Sequence, residues 1–317
     1  MKRFIVSCVA AMALSAPVLS HAAEPPASEP VVVEVASSIH NINVMGKSKP
    51  SMPTDVHIPI KRNIVRGYVR DSQGHPLRGA VIGVRSSAIG GAYSGASGKT
   101  DAKGYYEIQA PWGAASFYCA GYTVDYGDGI AAMGLCPADG EAEGFATANG
   151  AVKNWVLLPY GVADRAGMQA NPKYSGNYFG GTVIIGYSID SDSGNPNSKA
   201  LPPKSRIELT FTPTSPTIDG RKGRTIVVRR TVGEEWDPSL YLNNIPVAEY
   251  RLSAKLVNGG PLRMRETGMY RDAAFGLEPK EATGEATFLL KSYGAKPGMV
   301  TAAHGHWQEM QITLERP

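Results

Sequence analysis

The sequence is short of most features that announce a chemistry. It holds three cysteines in 317 residues and no Cys-x-x-Cys pair, which leaves no zinc-ribbon or thiol-redox signature. It contains no His-Glu-x-x-His and no Gly-x-Ser-x-Gly, so neither a zinc protease site nor a nucleophile elbow can be read from it. Charge of one sign is scarce too. Lys and Arg number 32 against 28 Asp and Glu, a formal net charge of +4, which gives no footprint for nucleic acid or an anionic membrane. After the first twenty residues no long apolar run occurs, and no segment keeps a helical period over three turns.

What the chain has in quantity is punctuation. Its 36 glycines and 23 prolines favour turns over helices, and 43% apolar residues mark it as globular. The length suggests two domains. Lys2-Arg3, the apolar stretch Phe4 to Leu19 and the small residues of Ser20-His21-Ala22 read as a signal peptide over 1–22. This reading sends the mature chain to the periplasm or outside the cell. Cys8 lies too far upstream of that cleavage site to be a lipidation cysteine. Its loss leaves Cys119 and Cys136, and in an oxidising compartment an even pair is expected to form a disulfide. A bridge closing a loop of about 17 residues would stabilise the fold by on the order of 3 kcal/mol.

Residues 23–61 carry Pro25, Pro26, Pro30, Pro50, Pro53 and Pro59 around one β-prone run, Val31 to Val35, and read as an extended arm adding one edge strand. Alternation then becomes clear. Ile64–Arg70, Ala80–Arg85, Tyr105–Ile108, Ala115–Cys119 and Asn154–Leu158 read as strands, parted by the turns Asp71–Leu77, Asp101–Gly104 and Pro111–Gly113. A linker is expected over 161–177. A second β unit follows over 178–317, with strands at Gly181–Tyr187, Arg206–Phe211, Thr225–Arg230, Tyr250–Val257, Ala286–Leu290 and Gln308–Leu314.

Across 62–160 the residues Gly67, Asp71, Gly74, Pro76, Leu77, Gly79, Ala80, Val84, Thr100, Asp101, Gly104, Tyr105, Ile108, Pro111 and Gly113 stand in an order that resembles the carboxypeptidase regulatory-like domain, a transthyretin-like β-sandwich. The resemblance covers about a third of the chain. It implies a transthyretin-like sandwich over 62–160. The run Leu240 to Tyr250 echoes the same path from strand through a Pro turn into an aromatic strand. The expected fold is therefore all-β, two transthyretin-like or Ig-like sandwiches in tandem behind a signal peptide and an arm. The resemblance also implies an accessory or interaction module without a catalytic domain. The glycine-rich, acidic segment 120–150 is longer than the hairpin such domains use.

The remaining motifs fail on context. Gly98-Lys99-Thr100 ends like a phosphate-binding loop, but Tyr93 stands where the first glycine belongs and a turn, not a helix, follows. His306-x-x-Glu309 has zinc-carboxypeptidase spacing with too little chain after it for a third ligand. His304 and His306, two apart, are weak metal candidates if they lie on a strand, with Glu309 or Met310 completing the set; a polar loop is the competing reading. Asp190 to Asn195 reads as an Asx-rich turn more readily than as a calcium loop, because Leu201 occupies the position that needs Glu. Arg221–Arg224 with Arg229 and Arg230 reads as a solvated hairpin. No cofactor is implied.

The expected function is a non-catalytic secreted or periplasmic module that binds an envelope or extracellular protein. A carbohydrate-binding module is the alternative, and a metal-handling protein centred on His304 and His306 a further one. The expected binding surface is the 120–150 segment, with Tyr122, Asp125, Tyr126, Asp128 and Phe145, where rigid aromatics and carboxylates stand together. The disulfide is expected to stiffen that segment.

Overall fold

The structure is a computed structural model and describes residues 29–87, 91–190, 198–233, 239–269 and 272–317. The expected signal peptide, with Cys8, lies outside these residues, as does most of the Asp190 to Asn195 turn.

The arm supplies β1 (Val31–Val35) and β2 (Asn41–Asn43). Next come β3 (Ile64–Asp71), β4 (Val81–Ser87), β5 (Tyr93–Lys99), β6 (Tyr105–Gln109), β7 (Ala114–Tyr126) and β8 (Gly129–Pro137). The short β9 (Phe145–Ala146), β10 (Ala151–Val152) and β11 (Trp155–Leu157) complete this set. One short helix, α1 (Arg165–Ala170), follows. It starts at Asp164, whose carboxylate accepts from the Gly167 amide. The C-terminal strands are β12 (Gly181–Tyr187), β13 (Arg206–Pro213), β14 (Ile226–Thr231), β15 (Leu240–Ile245), β16 (Glu249–Leu256), β17 (Arg263–Thr267), β18 (Gly276–Glu278), β19 (Glu281–Thr283), β20 (Glu285–Leu289) and β21 (Met310–Glu315).

The protein is all-β, and its strands form three sheets. A nine-stranded sheet runs β10-β3-β11-β8-β7-β4-β5, with β6 paired to β3 and β9 to β7. Two six-stranded sheets, β1-β14-β13-β16-β20-β18 and β19-β17-β21-β12-β15-β2, hold the C-terminal strands. Period-two alternation puts Ile207, Leu209 and Phe211 of β13 in the core with Tyr250, Leu252 and Ala254 of β16. Met264, Ile312 and Leu314 are buried from the other sheet. Each such side chain stabilises the fold by roughly 1.5–3 kcal/mol.

The expected turns of the first unit form for identifiable reasons. The Asp71 carboxylate accepts from the Gln73 and His75 amides, and Gly74 takes the positive φ the turn needs. Asp101 does the same for Lys103 and Tyr105 beside Gly104, where any Cβ would collide with the Val69 carbonyl. Thr100, the residue that completes the phosphate-loop look-alike, is buried. Its hydroxyl accepts from the Ala80 amide and donates to the Leu77 carbonyl, so it fastens β4 to the turn.

Three features depart from the sequence expectation. The arm adds two edge strands, not one, and both go to the C-terminal sheets: β1 lies parallel to β14, and β2 parallel to β15. Between them the arm crosses over Arg230, which is 1% exposed. The Arg230 guanidinium donates to the Ile39 and Ser37 carbonyls and lies over the Tyr187 ring, 5.9 Å from its centroid. Arg230 is therefore part of the core and not of a solvated hairpin. Second, β5 forms from the residues Tyr93-Ser-Gly-Ala-Ser-Gly-Lys99, which have little strand propensity of their own. Third, 114–137 is a long β-hairpin with its tip at Gly127-Asp128, where a glycine-rich loop is expected.

Candidate functional site

The hairpin is a docking element within the chain. Tyr126 is 5% exposed. Its hydroxyl donates to the Ala248 carbonyl and accepts from the Leu290 amide, and its ring stacks on Phe275 and meets the edge of Trp307. Burial pushes its phenol well above the ordinary value. Phe145 packs on Phe117 with centroids 5.5 Å apart, and Tyr122 is packed against the same continuous core. Asp125 and Asp128 alone of the five are exposed. These residues therefore do not share one open surface.

The cysteines correct another expectation: both are free thiols. The β7–β8 ladder runs from Tyr126 opposite Gly129 back to Gly121 opposite Gly134, a register that leads toward Cys119 and Cys136. At that point the chain near Val300 takes over the β7 edge. Ala120 donates to the Val300 carbonyl and Ala302 to that of Tyr118, while Cys136 pairs with Val156 of β11. Gly121 and Gly134 permit this intrusion, since a Cβ on either would strike the Pro297 or His304 carbonyl. Burial raises the Cys119 thiol to about 11 and that of Cys136 to about 12, so neither is a ready nucleophile.

His304 and His306 meet different neighbours and lie in a loop. His304 has Nδ1 3.0 Å from the Ala302 carbonyl and Nε2 4.0 Å from the Asp164 carboxylate. His306 packs on Tyr293, and burial lowers its pKa. Glu309 accepts from the Ser175 amide and Met310 is buried. Among the described residues no group of three or more His, Cys, Asp or Glu is placed to hold a metal ion.

Among the described residues two surfaces stand out. One is the outer face of the C-terminal sheet. Ile184 is the one residue of β12 that is not fully buried. It stands opposite Tyr241 of β15 on one side and Gln311 of β21 on the other, and Gln311 stands opposite Thr267 of β17. This row of four side chains crosses four strands and floors a cavity of about 410 Å³. The segment after α1 walls it. The Pro172 carbonyl is held by the Tyr178 hydroxyl and the Asn243 amide, and the Lys173 ammonium sits 4.9 Å from the centroid of the Tyr241 ring. At the far end lies Glu266, 3% exposed. Its Oε2 accepts from the Leu277 amide and from Lys280, whereas its Oε1 has no hydrogen-bond partner.

The other is the edge of the nine-stranded sheet. Among the described residues β5 pairs on one side only, with β4, and Tyr93 to Ser97 are exposed apart from Ala96. Toward its end β5 leans on β6, with Gly98 close to Ile108. Its outer face carries Tyr93, 70% exposed, under the Arg85 guanidinium at 5.5 Å, and Tyr118, whose ring lies over Gly83. Other edges are short or charged. β18 and β19 have three residues each, β6 has Glu107 paired with Lys61, and β1 has Glu34 paired with Arg206 and Arg229. β5 has seven residues, no proline and a single charge at its end, Lys99, so it lacks the usual guards. Sequence reading missed both surfaces: the groove joins residues far apart in the chain, and β5 looks like a linker.

No family model and no curated protein matches the chain, so the resemblance to carboxypeptidase regulatory-like domains rests on its motif residues alone. Among solved structures the chain is weakly similar to several bacterial proteins, pilus proteins among them. The Bacillus anthracis TIE protein is 12% identical over 80% of this chain, at a TM-score of 0.29. A streptococcal ancillary pilin is 14% identical over 80%, at 0.21. A C-terminal fragment of the pilus adhesin SpaC from Lactobacillus rhamnosus GG is 8% identical over 81%, at 0.24. The chain spans 34%, 62% and 98% of those three chains. Likenesses this distant carry no argument about function.

Proposed function

We propose that the protein is a non-catalytic accessory module, exported to the cell envelope, that holds another envelope protein by adding a strand of it to β5. The leader-like first 22 residues support export. Several carboxylates have structural tasks: Asp71 and Asp101 fix turns, Asp164 caps α1, and Glu208 accepts from Arg229 and pairs with Lys255. Those two cations hold the Glu208 carboxyl below its usual range. The observation that carries the reading is the β5 edge itself. An unguarded, nearly uncharged strand offers a partner's extended segment the outward backbone groups of alternate residues, and the Tyr93–Arg85–Tyr118 face supplies side-chain selectivity. The small residues of β5 let a neighbouring backbone approach without displacing anything.

The test is capture from envelope extract with the purified chain as bait, beside the double variant Gly95→Lys with Ser97→Lys. Both positions are exposed, so the variant should keep the parent's melting temperature. Capture of a protease-sensitive component by the parent, lost in the variant, is the expected outcome. Equal capture by both places the partner elsewhere and refutes the reading.

A further inference from the structure

We infer that the loop 293–306 is a strap whose seat on the β7 edge excludes a Cys119–Cys136 disulfide, which makes strap and cysteine pair a redox-sensitive switch. The strap is in when the pair is a dithiol and out when it is a disulfide. This inference does not depend on the β5 reading. Strand register carries it. The β7–β8 ladder runs without a shift from Tyr126 opposite Gly129 to Gly121 opposite Gly134. Continued by two residues, the same register puts Ala120 opposite Leu135 and Cys119 opposite Cys136. The far edges already stand ready for it, because Cys119 is opposite Gly83 of β4 and Cys136 is opposite Val156 of β11. On its other edge Cys119 faces Thr301 of the strap, in an isolated antiparallel bridge. Strands are spaced about 4.8 Å apart, so residues with a strand between them stand roughly 9–10 Å apart. A disulfide spans at most about 7 Å between Cα atoms. Directly opposite residues of an antiparallel pair, at about 4.5–5.5 Å, lie within that reach.

The strap is arranged to leave as a unit. Its base is closed by an antiparallel bridge between Ser292 and Trp307, and the Tyr293 and Gln308 amides donate to the His306 and Lys291 carbonyls. The Ser292 hydroxyl bonds the Ala132 carbonyl, and buried Trp307 donates to that of Phe179, so the base is fixed to the core. The tip is held lightly. Ala120 donates to the Val300 carbonyl at 3.2 Å, Ala302 to that of Tyr118 at 3.3 Å, and the Thr123 hydroxyl to that of Ala295 at 3.3 Å. These are long hydrogen bonds. Val300 and Ala302 are the only buried apolar side chains of 293–306, while Met299 at the tip is 74% exposed. Ala303 takes a φ of +56°, a left-handed conformation that a residue with a Cβ disfavours.

With the strap in, burial holds both thiols well above their ordinary range and withholds the thiolate that exchange requires. With the strap out, one cysteine thiolate attacks the S–S bond of a low-molecular-weight disulfide such as oxidised glutathione and expels one glutathione thiolate. The second cysteine thiolate attacks the resulting mixed disulfide, closes the Cys119–Cys136 bond and expels the other. Two cysteines are oxidised, one glutathione disulfide is reduced to two thiols, and those thiols take up the two cysteine protons.

The experiment incubates the full chain, purified under reductant, with oxidised glutathione. Mass spectrometry after alkylation follows the disulfide, and amide hydrogen exchange follows the strap. The folded chain should oxidise about tenfold more slowly than the urea-unfolded chain, or slower still, because the reaction waits on local opening. In the disulfide form the Ala302 amide should exchange freely while Ile226 to Arg230 of β14 stay protected, and reductant should restore Ala302. Val300→Ala, which loosens the tip, should raise the oxidation rate of the folded chain about tenfold. Cys119→Ser should keep Ala302 protected in the presence of oxidant. A disulfide that forms with Ala302 still protected overturns the inference. So does one that costs β14 its protection, since the disulfide then needs the whole fold to open. No disulfide from the folded parent or Val300→Ala, where the unfolded chain forms it, overturns it as well. If Val300→Ala fails to fold, the exchange pattern of the parent decides alone.

Discussion

The two kinds of sheet edge in this molecule are treated in opposite ways. At the C-terminal sandwich the chain covers its own edges: β1 pairs with β14 over five residues, β2 pairs with β15, and the crossover is fastened by a buried arginine. At the nine-stranded sheet β5 is left with one side unpaired. Covering an edge removes a template for association, and leaving one bare preserves it. The contrast makes the arm structural, although it looks like a linker, and leaves β5 as the edge open to pairing. The β7–β8 hairpin, which looks like part of a free loop, acts as an internal fastening through Tyr126.

The largest test of this contrast is removal of the arm. A chain beginning at residue 46 loses β1, β2 and the carbonyls that receive the Arg230 guanidinium, and a buried charge deprived of its partners costs about 3–5 kcal/mol. Urea unfolding should show that loss together with concentration-dependent association of the bared β14 and β15 edges. An unchanged midpoint would dissolve the distinction between the two edges.

Next comes Tyr126→Ala in the hairpin, which empties the contact with Phe275 and Trp307 and leaves the Leu290 amide and Ala248 carbonyl unpaired. A large-to-small change of this kind costs about 3–5 kcal/mol. Tyr126→Phe should cost about 1–3 kcal/mol through the unpaired groups alone. If both are silent, the hairpin is the free surface that its sequence suggests.

A smaller effect follows from His306, whose pKa burial lowers below the ordinary 6.5. The unfolded chain then binds the proton more tightly than the folded one. This contribution to stability is whole above pH 6.5 and is lost as pH falls through 6.5 toward the lower folded value. The slope of melting temperature between pH 7.5 and 5.5 should flatten in His306→Gln. The smallest effect expected is none at all. With both thiols free, reductant should leave the melting temperature alone, and alkylation of the unfolded, unreduced chain should label Cys119 and Cys136 together.

Which of these features the sequence reveals depends on whether the cause is local. The Asp71 and Asp101 turns, β3, β6 and β12 are legible because a carboxylate, a positive-φ glycine and a period of two act within a few residues. β5 is not, because Ser, Gly and Ala form a strand there only by pairing with β4 along seven positions, Val81 to Ser87. The cysteine pair is misleading for a related reason: sequence shows the parity and spacing, not the chain near Val300 that takes the β7 edge. The groove row draws Tyr241, Ile184, Gln311 and Thr267 from strands whose neighbours in space are remote in sequence, so only registry assembles it.

The most direct measurement of the contrast between edges is amide hydrogen exchange on the isolated chain, resolved by residue. β14 has partners on both sides, so from Ile226 to Arg230 its amides should be protected without interruption. β5 should show alternation between Tyr93 and Ser97, with amides facing β4 protected and those between them exchanging at rates close to those of an unstructured chain. Uniform protection along β5, equal to that of β14, would contradict the account, because that edge would then already be covered.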